Sequence, residues 1–507
     1  MSDILILGKY IFRNQSKEFG IKTADRRKHM YVIGKTGQGK TTFLENMIIN
    51  DILNNKGLAY FDPHGDSVQK ILDFIPKNRI DDVIYFNPMD INHPMGFNPL
   101  EKIQWEQRHL IALSLLSVFK KIWVDAWSAR MEYILLNALL ALMEIPGATM
   151  LDINRMLGDK NFRKMVVANL KDSVVKNFWL KEFEKYHQQF QVEAVAPIQN
   201  KVGQFITNPL IRNIIGQKES TFNLREILEG RKIFLANLSL GAIGEATSSL
   251  LGGLLISKLQ LSAMSRVDLP EDKREDFYLY VDEFQNFATD SFVNILSEAR
   301  KYGLNLIISH QYLDQIDEKI RKSIFGNIGT FIIFRLGTVD AEIFSKELNN
   351  IVTVDNLINL PAYHIYVKLL IDSEPSPPFL ATTIPPAQKP DISYKEEILA
   401  INHLKYAKKR ASIEKIISET FKDNINIDRS KIKTQQCTVC GKEFELYLDE
   451  EDNVCLECKN QIRGGISLKK AIEKGIVIMQ PKKQTQKETI PDPLDEILKK
   501  LNEENNK

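Results

Sequence analysis

A chain of 507 residues with 44% hydrophobic and 26% charged side chains has material for about three domains and a large core, which excludes a low-complexity or disordered chain. The formal net charge of +2 neither demands nor forbids a nucleic-acid partner, because a basic surface can be local. The longest apolar candidate, Leu110 to Phe119, stops at Lys120 and Lys121, well short of the ~18 residues a membrane-spanning helix needs. With no leader-like segment before residue 34, the expectation is a soluble, cytoplasmic protein that reaches a membrane only through partners.

Residues 1–28 read as an entry segment, ILILGKYIF followed by FGIKTADRRK, which is expected to lie as a short β element beside a larger sheet. The apolar run Met30 to Ile33 then feeds Gly34, Lys35, Thr36, Gly37, Gln38, Gly39, Lys40, Thr41 and Thr42, which carry the GxxxxGK[ST] spacing. Glycines in this pattern let backbone N–H groups wrap a phosphate chain. Lys40 supplies a cation for the β/γ-phosphates, and the Thr41 hydroxyl can ligate Mg²⁺. The helical FLENMIINDIL that follows puts the phosphates at a helix N-terminus, where the dipole favours anions.

Gly57 to Asp62 and Asp82 to Phe86 are further buried strands, and strands alternating with helical stretches predict a parallel sheet covered on both faces. From about 101 to 228 the period is helical almost throughout, which predicts an all-α insertion whose Met and aromatic residues are core. Strands resume at Lys232 to Leu238, Phe277 to Val281, Leu304 to Ile308 and Thr330 to Arg335. Tyr363 to Ile371 and Phe379 to Thr383 look like an antiparallel edge pair. The nucleotide domain is therefore split, 29–100 plus 229–385.

Asp282 and Glu283 close the strand FYLYV. An acidic residue there can hold Mg²⁺, and its neighbour can polarise an attacking water, which separates hydrolysis from binding. Gln311, at the end of the following strand, is placed to sense a γ-phosphate. From the residues alone, Arg300 fits a solvated helix face better than a catalytic role.

The set GKTGQGKTT, FDPHGD, QNKVGQF, YLYVDEFQNF, SEARKYGLNLIISHQ and FRLGTVDAE resembles the HerA–FtsK superfamily of RecA-like motor ATPases, and within it the TraG/TraD-type conjugative coupling proteins of type IV secretion systems. The resemblance covers about residues 1–385. It implies a homo-hexameric ring that hydrolyses ATP between subunits and pumps DNA, single- or double-stranded, with relaxase and secretion-channel proteins as partners. Under it Lys40 and Thr41 fall on the phosphate and Mg²⁺ residues, Asp282 and Glu283 on the metal and catalytic acids, and Gln311 on the sensor. Arg300 falls on the arginine finger that reaches into a neighbour's site, with Arg335 as runner-up. Asp62 and His64 take no assigned role. The transmembrane helices usual in coupling proteins have no counterpart in this sequence.

Beyond a Pro-rich break, 386–432 reads as a helical linker, 433–465 as a zinc ribbon and 466–507 as a helix and polar tail. All four cysteines, Cys437, Cys440, Cys455 and Cys458, lie in the spacing C-x₂-C-x₁₄-C-x₂-C. Two such knuckles place four thiolates tetrahedrally around a structural Zn²⁺, and Gly441 suits the knuckle turn. The fold expected is thus a RecA-like α/β domain with a mostly parallel sheet, an all-α insertion and a C-terminal ribbon. Competing functions are an ATP-driven DNA translocase, a protein-handling secretion ATPase and a nucleotide-switched adaptor.

Overall fold

Strands built of short apolar runs make up the parallel part of the sheet, and the polar strand Gln15–Lys22 lies at one margin. The computed structural model describes residues 4–12, 15–101, 104–123, 127–290, 292–422, 432–438, 440–441 and 443–447. They fall into two units, divided between Glu419 and Thr420.

The first unit is built on an 11-stranded sheet. In chain order its strands are β1 (Ile4–Phe12), β2 (Gln15–Lys22), β3 (Met30–Ile33), β4 (Gly57–Asp62), β5 (Val83–Phe86), β6 (Ile233–Asn237), β7 (Phe277–Val281), β8 (Leu304–His310), β9 (Thr330–Ile333) and β10 (His364–Lys368). The short β11 (Leu370–Ile371) and β12 (Glu374–Pro375) pair only with each other, and β13 (Phe379–Thr383) completes the large sheet. The spatial order is β2-β1-β13-β10-β9-β3-β8-β7-β4-β6-β5. From β9 to β5 every pairing is parallel, and β3, β4, β5, β7, β8 and β9 are buried at every position. That is the signature of a sheet covered by helices on both faces.

β10 and β13 pair antiparallel as their sequence suggests, with Ile365 opposite Ala381, but they are not the edge. The N-terminal hairpin β1–β2 adds itself beyond β13 and becomes the margin, with the first half of β2 exposed. Local sequence could not locate that margin, because the strands that continue the sheet lie some 370 residues apart.

Between β5 and β6 the described residues contain no strand. Helices Arg108–Ile122, Ala129–Leu142, Asp152–Gly158, Lys160–Asn169, Ser173–Asn177, Gln188–Thr207, Pro209–Ile215 and Leu224–Glu229 fill the interval. Polar residues start several of them. Ser128, Asp159, Asp172, Asn208 and Asn223 each accept N–H bonds from the first turn, satisfying donors a helix end leaves open. Trp179, Phe183, Ile153 and Ile198 are buried among these helices.

After β13 the chain returns along the opposite margin. The helix Lys395–Tyr406 lies on β5, and the backbone beyond it bridges Met95 to Ala407. Among the described residues no helix is long and apolar enough to cross a membrane.

In the second unit, β14 (Ile432–Gln436) and β15 (Glu443–Tyr447) form an antiparallel hairpin. Cys437 and Cys440 lie in its connection, where Gly441, at φ +73°, donates its N–H to the Cys437 carbonyl at 2.9 Å. Cys455 and Cys458 lie outside the described residues, as does the expected C-terminal helix.

Candidate nucleotide site

The loop after β3 is shaped by contacts that only glycine permits. A Cβ on Gly34 would stand 2.4 Å from that of Phe334, and Gly39, at φ +107°, begins the helix Lys40–Leu53 against the Tyr363 ring. Two backbone bonds tie the loop to its neighbours, from Lys35 N–H to the Arg335 carbonyl at 2.9 Å and from Tyr363 N–H to the Gln38 carbonyl at 3.2 Å. The helix N-terminus that follows is an anion site by its dipole and its unpaired N–H groups.

Lys40 is buried, and its ammonium donates to the Gly34 carbonyl at 2.6 Å and the Lys35 carbonyl at 3.2 Å. Burial lowers its pKa, opposed by the charges of Glu283 and Asp282. The cation is thus parked on the loop it serves, where a phosphate oxygen can take over from the carbonyls.

Asp282 follows β7 and is 1% exposed. Its Oδ1 accepts the Ser309 hydroxyl at 2.5 Å and the Glu283 N–H at 2.9 Å, and its Oδ2 faces the Thr41 hydroxyl at 3.3 Å. Burial raises its pKa, and the neighbouring Glu283 charge pushes the same way. Among the described residues it has no ion-pair partner. A buried carboxylate converging with a threonine hydroxyl, and in no ion pair among the described residues, fits a divalent cation held by Thr41 and Asp282.

Glu283 is buried and sits at φ +43°, a left-handed conformation that costs a residue with a side chain of order 1–3 kcal/mol. That backbone turn faces its carboxylate toward two amides. Gln311 donates to Oε1 at 2.9 Å and Gln285 to Oε2 at 2.6 Å. Gln311 also accepts the Thr36 hydroxyl at 3.0 Å, which links β8 to the phosphate loop. Gln38 is buried within the loop, and Thr42 is half-buried in the first helical turn.

The strand order explains the convergence. β8 lies between β3 and β7, so the C-terminal ends of all three bring the loop, Gln311 and the acids Asp282 and Glu283 to one rim. Ser309 and Gln285 were not singled out by the sequence. Each lies two residues from one that was, Gln311 and Glu283, and the spacing carried no signal of its own. Asp62, at the same rim, spends both oxygens on backbone, accepting from His64 N–H at 2.9 Å and Val68 N–H at 3.0 Å. It holds the turn into the helix Asp66–Ile71, and His64 is exposed.

Arg300 is exposed just before β8, at the end of the strands away from the loop. Its charge contributes to lowering the pKa of His29, which precedes β3. The seven residues of β8 put about 23 Å between the two ends, so Arg300 cannot serve the site of its own chain. Arg335 instead flanks the loop of its own chain, through its carbonyl.

Residues 18–351 match the model of the type IV secretion-system coupling protein DNA-binding domain. The chain is 23% identical, over 62% of its length, to the type 4 coupling protein DotL of Legionella pneumophila, and it spans about half, 48%, of that relative. Among solved structures, the bacterial conjugative coupling protein TrwBdeltaN70 superposes with a TM-score of 0.54 at 17% identity, covering 72% of this chain and 87% of that chain. TrwB in complex with ADP and Mg²⁺ gives 0.54 at 17% over 73% and 89%. VirB4 of Thermoanaerobacter pseudethanolicus gives 0.50 at 13% over 78% and 98%. At these identities the structural likeness is one of fold.

Proposed function

We propose, for a chain that belongs to the type IV secretion-system coupling protein DNA-binding domain family, that it hydrolyses ATP and uses the energy to move DNA. The observation that carries the reading is the clamp on Glu283. A carboxylate held on both oxygens by Gln311 and Gln285, beside a phosphate loop, is arranged to orient water at a γ-phosphate. A nucleotide-gated adaptor has less use for such a group.

In this reading the loop from Gly34 to Gly39 wraps the phosphates, and Lys40 leaves its carbonyls for the β/γ-oxygens. Thr41 and Asp282 hold Mg²⁺, which neutralises phosphate charge when bound. Glu283 takes the proton of the attacking water, and Gln311 reports the γ-phosphate to Thr36. Arg300, remote from its own site, supplies charge to a neighbour's, which calls for a ring of subunits such as a hexamer. The motor is the split body 29–100 and 229–385, and the helices of 101–228 form an attached domain. Relaxase and channel proteins are the partners such a motor would engage at a membrane.

The turn at Gly441 supports a zinc knuckle at Cys437 and Cys440, to be completed by Cys455 and Cys458. Cys437 and Cys440 flank a turn of the form such a knuckle uses, and the ion would be structural.

The test is steady-state ATP hydrolysis without polymer, with single-stranded DNA and with duplex DNA, Lys40→Ala serving as the blank. Stimulation by DNA that falls as salt rises is expected, since grip on the phosphate backbone is electrostatic. Arg300→Ala mixed into wild type should poison the assembly beyond its share of subunits. Hydrolysis indifferent to either DNA would overturn the translocase reading and direct attention to protein substrates.

A further inference from the structure

On the margin of the sheet farthest from β2, three side chains with metal-binding atoms meet outside the nucleotide site. Two come from the loop after β5. There Asp90 donates its N–H to the Asn87 carbonyl at 3.1 Å, and its Oδ1 accepts the His93 N–H at 3.1 Å. This Asx-type turn sets the Asp90 and His93 side chains near each other. The third, His403, comes from the helix Lys395–Tyr406, more than 300 residues later in the chain.

The helix cannot slide along the loop. Asn402, next to His403, accepts the Tyr85 N–H at 2.8 Å and donates to the Val83 carbonyl at 3.0 Å, fixing its register on β5. Beyond the helix, Lys408 N–H reaches the Pro94 carbonyl at 3.3 Å and Arg410 N–H the Asn92 carbonyl at 3.0 Å. The backbone therefore brackets the cluster from both directions.

Within that frame, His403 Nε2 is 2.5 Å from Asp90 Oδ2, and His93 Nδ1 is 3.5 Å from Asp90 Oδ1. The imidazoles stack with centroids 4.6 Å apart, and a donor atom of each of the three residues lies within 4.8 Å of the others. A tetrahedron of 2.0–2.2 Å bonds separates its ligands by about 3.3–3.6 Å, so closing this set around an ion needs side-chain adjustment only. The cluster borders a cleft of about 280 Å³, which leaves room for a water as fourth ligand.

We propose that Asp90, His93 and His403 form a metal site of the His₂Asp type, taking Zn²⁺ with one water, that staples the Lys395–Tyr406 helix to the loop after β5. Two imidazoles with one carboxylate favour zinc over Mg²⁺ or Ca²⁺, which prefer all-oxygen shells. The site is separate from the cysteines and independent of the nucleotide reading.

The experiment uses the full chain, stripped of metal and then titrated with Zn²⁺ and, separately, Co²⁺. The expected wild-type result includes one cobalt equivalent with d–d absorption but no thiolate charge-transfer band. His403→Ala and His93→Ala should each lose that equivalent while any thiolate-bound cobalt stays. Zinc should raise the melting temperature of wild type more than that of either variant. X-ray absorption at the zinc edge needs no substitution and covers the case in which the variants misfold. Nitrogen and oxygen neighbours at about 2.0–2.1 Å are expected. A zinc shell of sulfur alone, or metal content unchanged in both histidine variants, would overturn the site.

Discussion

Gln311 donates to Glu283 Oε1 at 2.9 Å while its carbonyl oxygen accepts the Thr36 hydroxyl at 3.0 Å, so one amide spans the Glu283 carboxylate and the loop after β3. Its removal should damage turnover more than binding. Gln311→Ala is expected to lower kcat roughly 10–100-fold with KM for ATP little changed, and Glu283→Gln to lower it by about 100-fold or more while nucleotide still binds. Phosphate release and fluorescent-nucleotide binding measure the two separately. Equal losses of affinity and turnover in Gln311→Ala would reduce its role to holding the loop.

Arg26 and Asp51 form a buried bidentate pair, with both guanidinium–carboxylate distances 2.7 Å. Tyr280 donates to the same carboxylate at 2.5 Å, and the Arg26 guanidinium lies 3.6 Å from the Tyr278 ring centroid. Asp51→Ala strands a buried cation and is expected to cost about 3–5 kcal/mol. Replacing both partners, Arg26→Met with Asp51→Leu, should cost far less, because no charge is left unpaired. Urea unfolding of the two variants beside wild type decides it. A double variant as unstable as the single one would mean that the pair does more than neutralise itself.

How far the sequence reached follows from the range of the interactions. The glycine spacing around Lys40 and the acids after FYLYV announce themselves locally, because backbone wrapping and strand-end chemistry depend on neighbours in the chain. Runs such as GLAYFD and FYLYV read as buried strands for the same reason. The Arg26–Asp51 pair, Ser309 on Asp282 and the hairpin that extends the sheet past β13 join distant segments, and no local pattern encodes them. Asn402 illustrates the limit. In a stretch that reads as a charged helical linker, a single asparagine closes a sheet margin 317 residues away in the chain.

That asparagine yields a third prediction. β5 ends the parallel run and would otherwise offer Tyr85 N–H and the Val83 carbonyl to another chain. Asn402→Leu leaves both buried groups unpaired, at a cost of about 2 kcal/mol or more, and uncovers a strand edge. Unfolding midpoints should fall, and light scattering on warming should begin earlier. Asn402→Asp retains the acceptor for Tyr85 and should fall between the two. A leucine variant matching wild type in both measurements would show that the edge is already closed by other means.

Two buried histidines predict how stability responds to acid. His29 and His310 are fully enclosed, and burial lowers their pKa from 6.5 to about 4 and about 3 respectively. His29 Nδ1 accepts the Leu306 N–H at 3.1 Å, and His310 shares a hydrogen bond with the Tyr31 hydroxyl at 3.1 Å, so both sit neutral. The unfolded chain takes up a proton at each below about pH 6.5 while the folded chain does not, so the unfolded state binds more protons. Stability from these groups is therefore complete above that pH. It is lost as pH falls toward about 4 for His29 and about 3 for His310. By pH 5 each accounts for about 2 kcal/mol. The buried Asp282 and Asp340, whose pKa values burial raises, oppose this trend, but they cancel in a comparison of wild type with a histidine variant. His29→Gln and His310→Asn should each lower stability at pH 7 yet remove close to one proton from the slope between pH 6 and 5. Denaturant midpoints across that interval provide the readout. Slopes identical to wild type in both variants would mean that neither ring stays neutral in the fold.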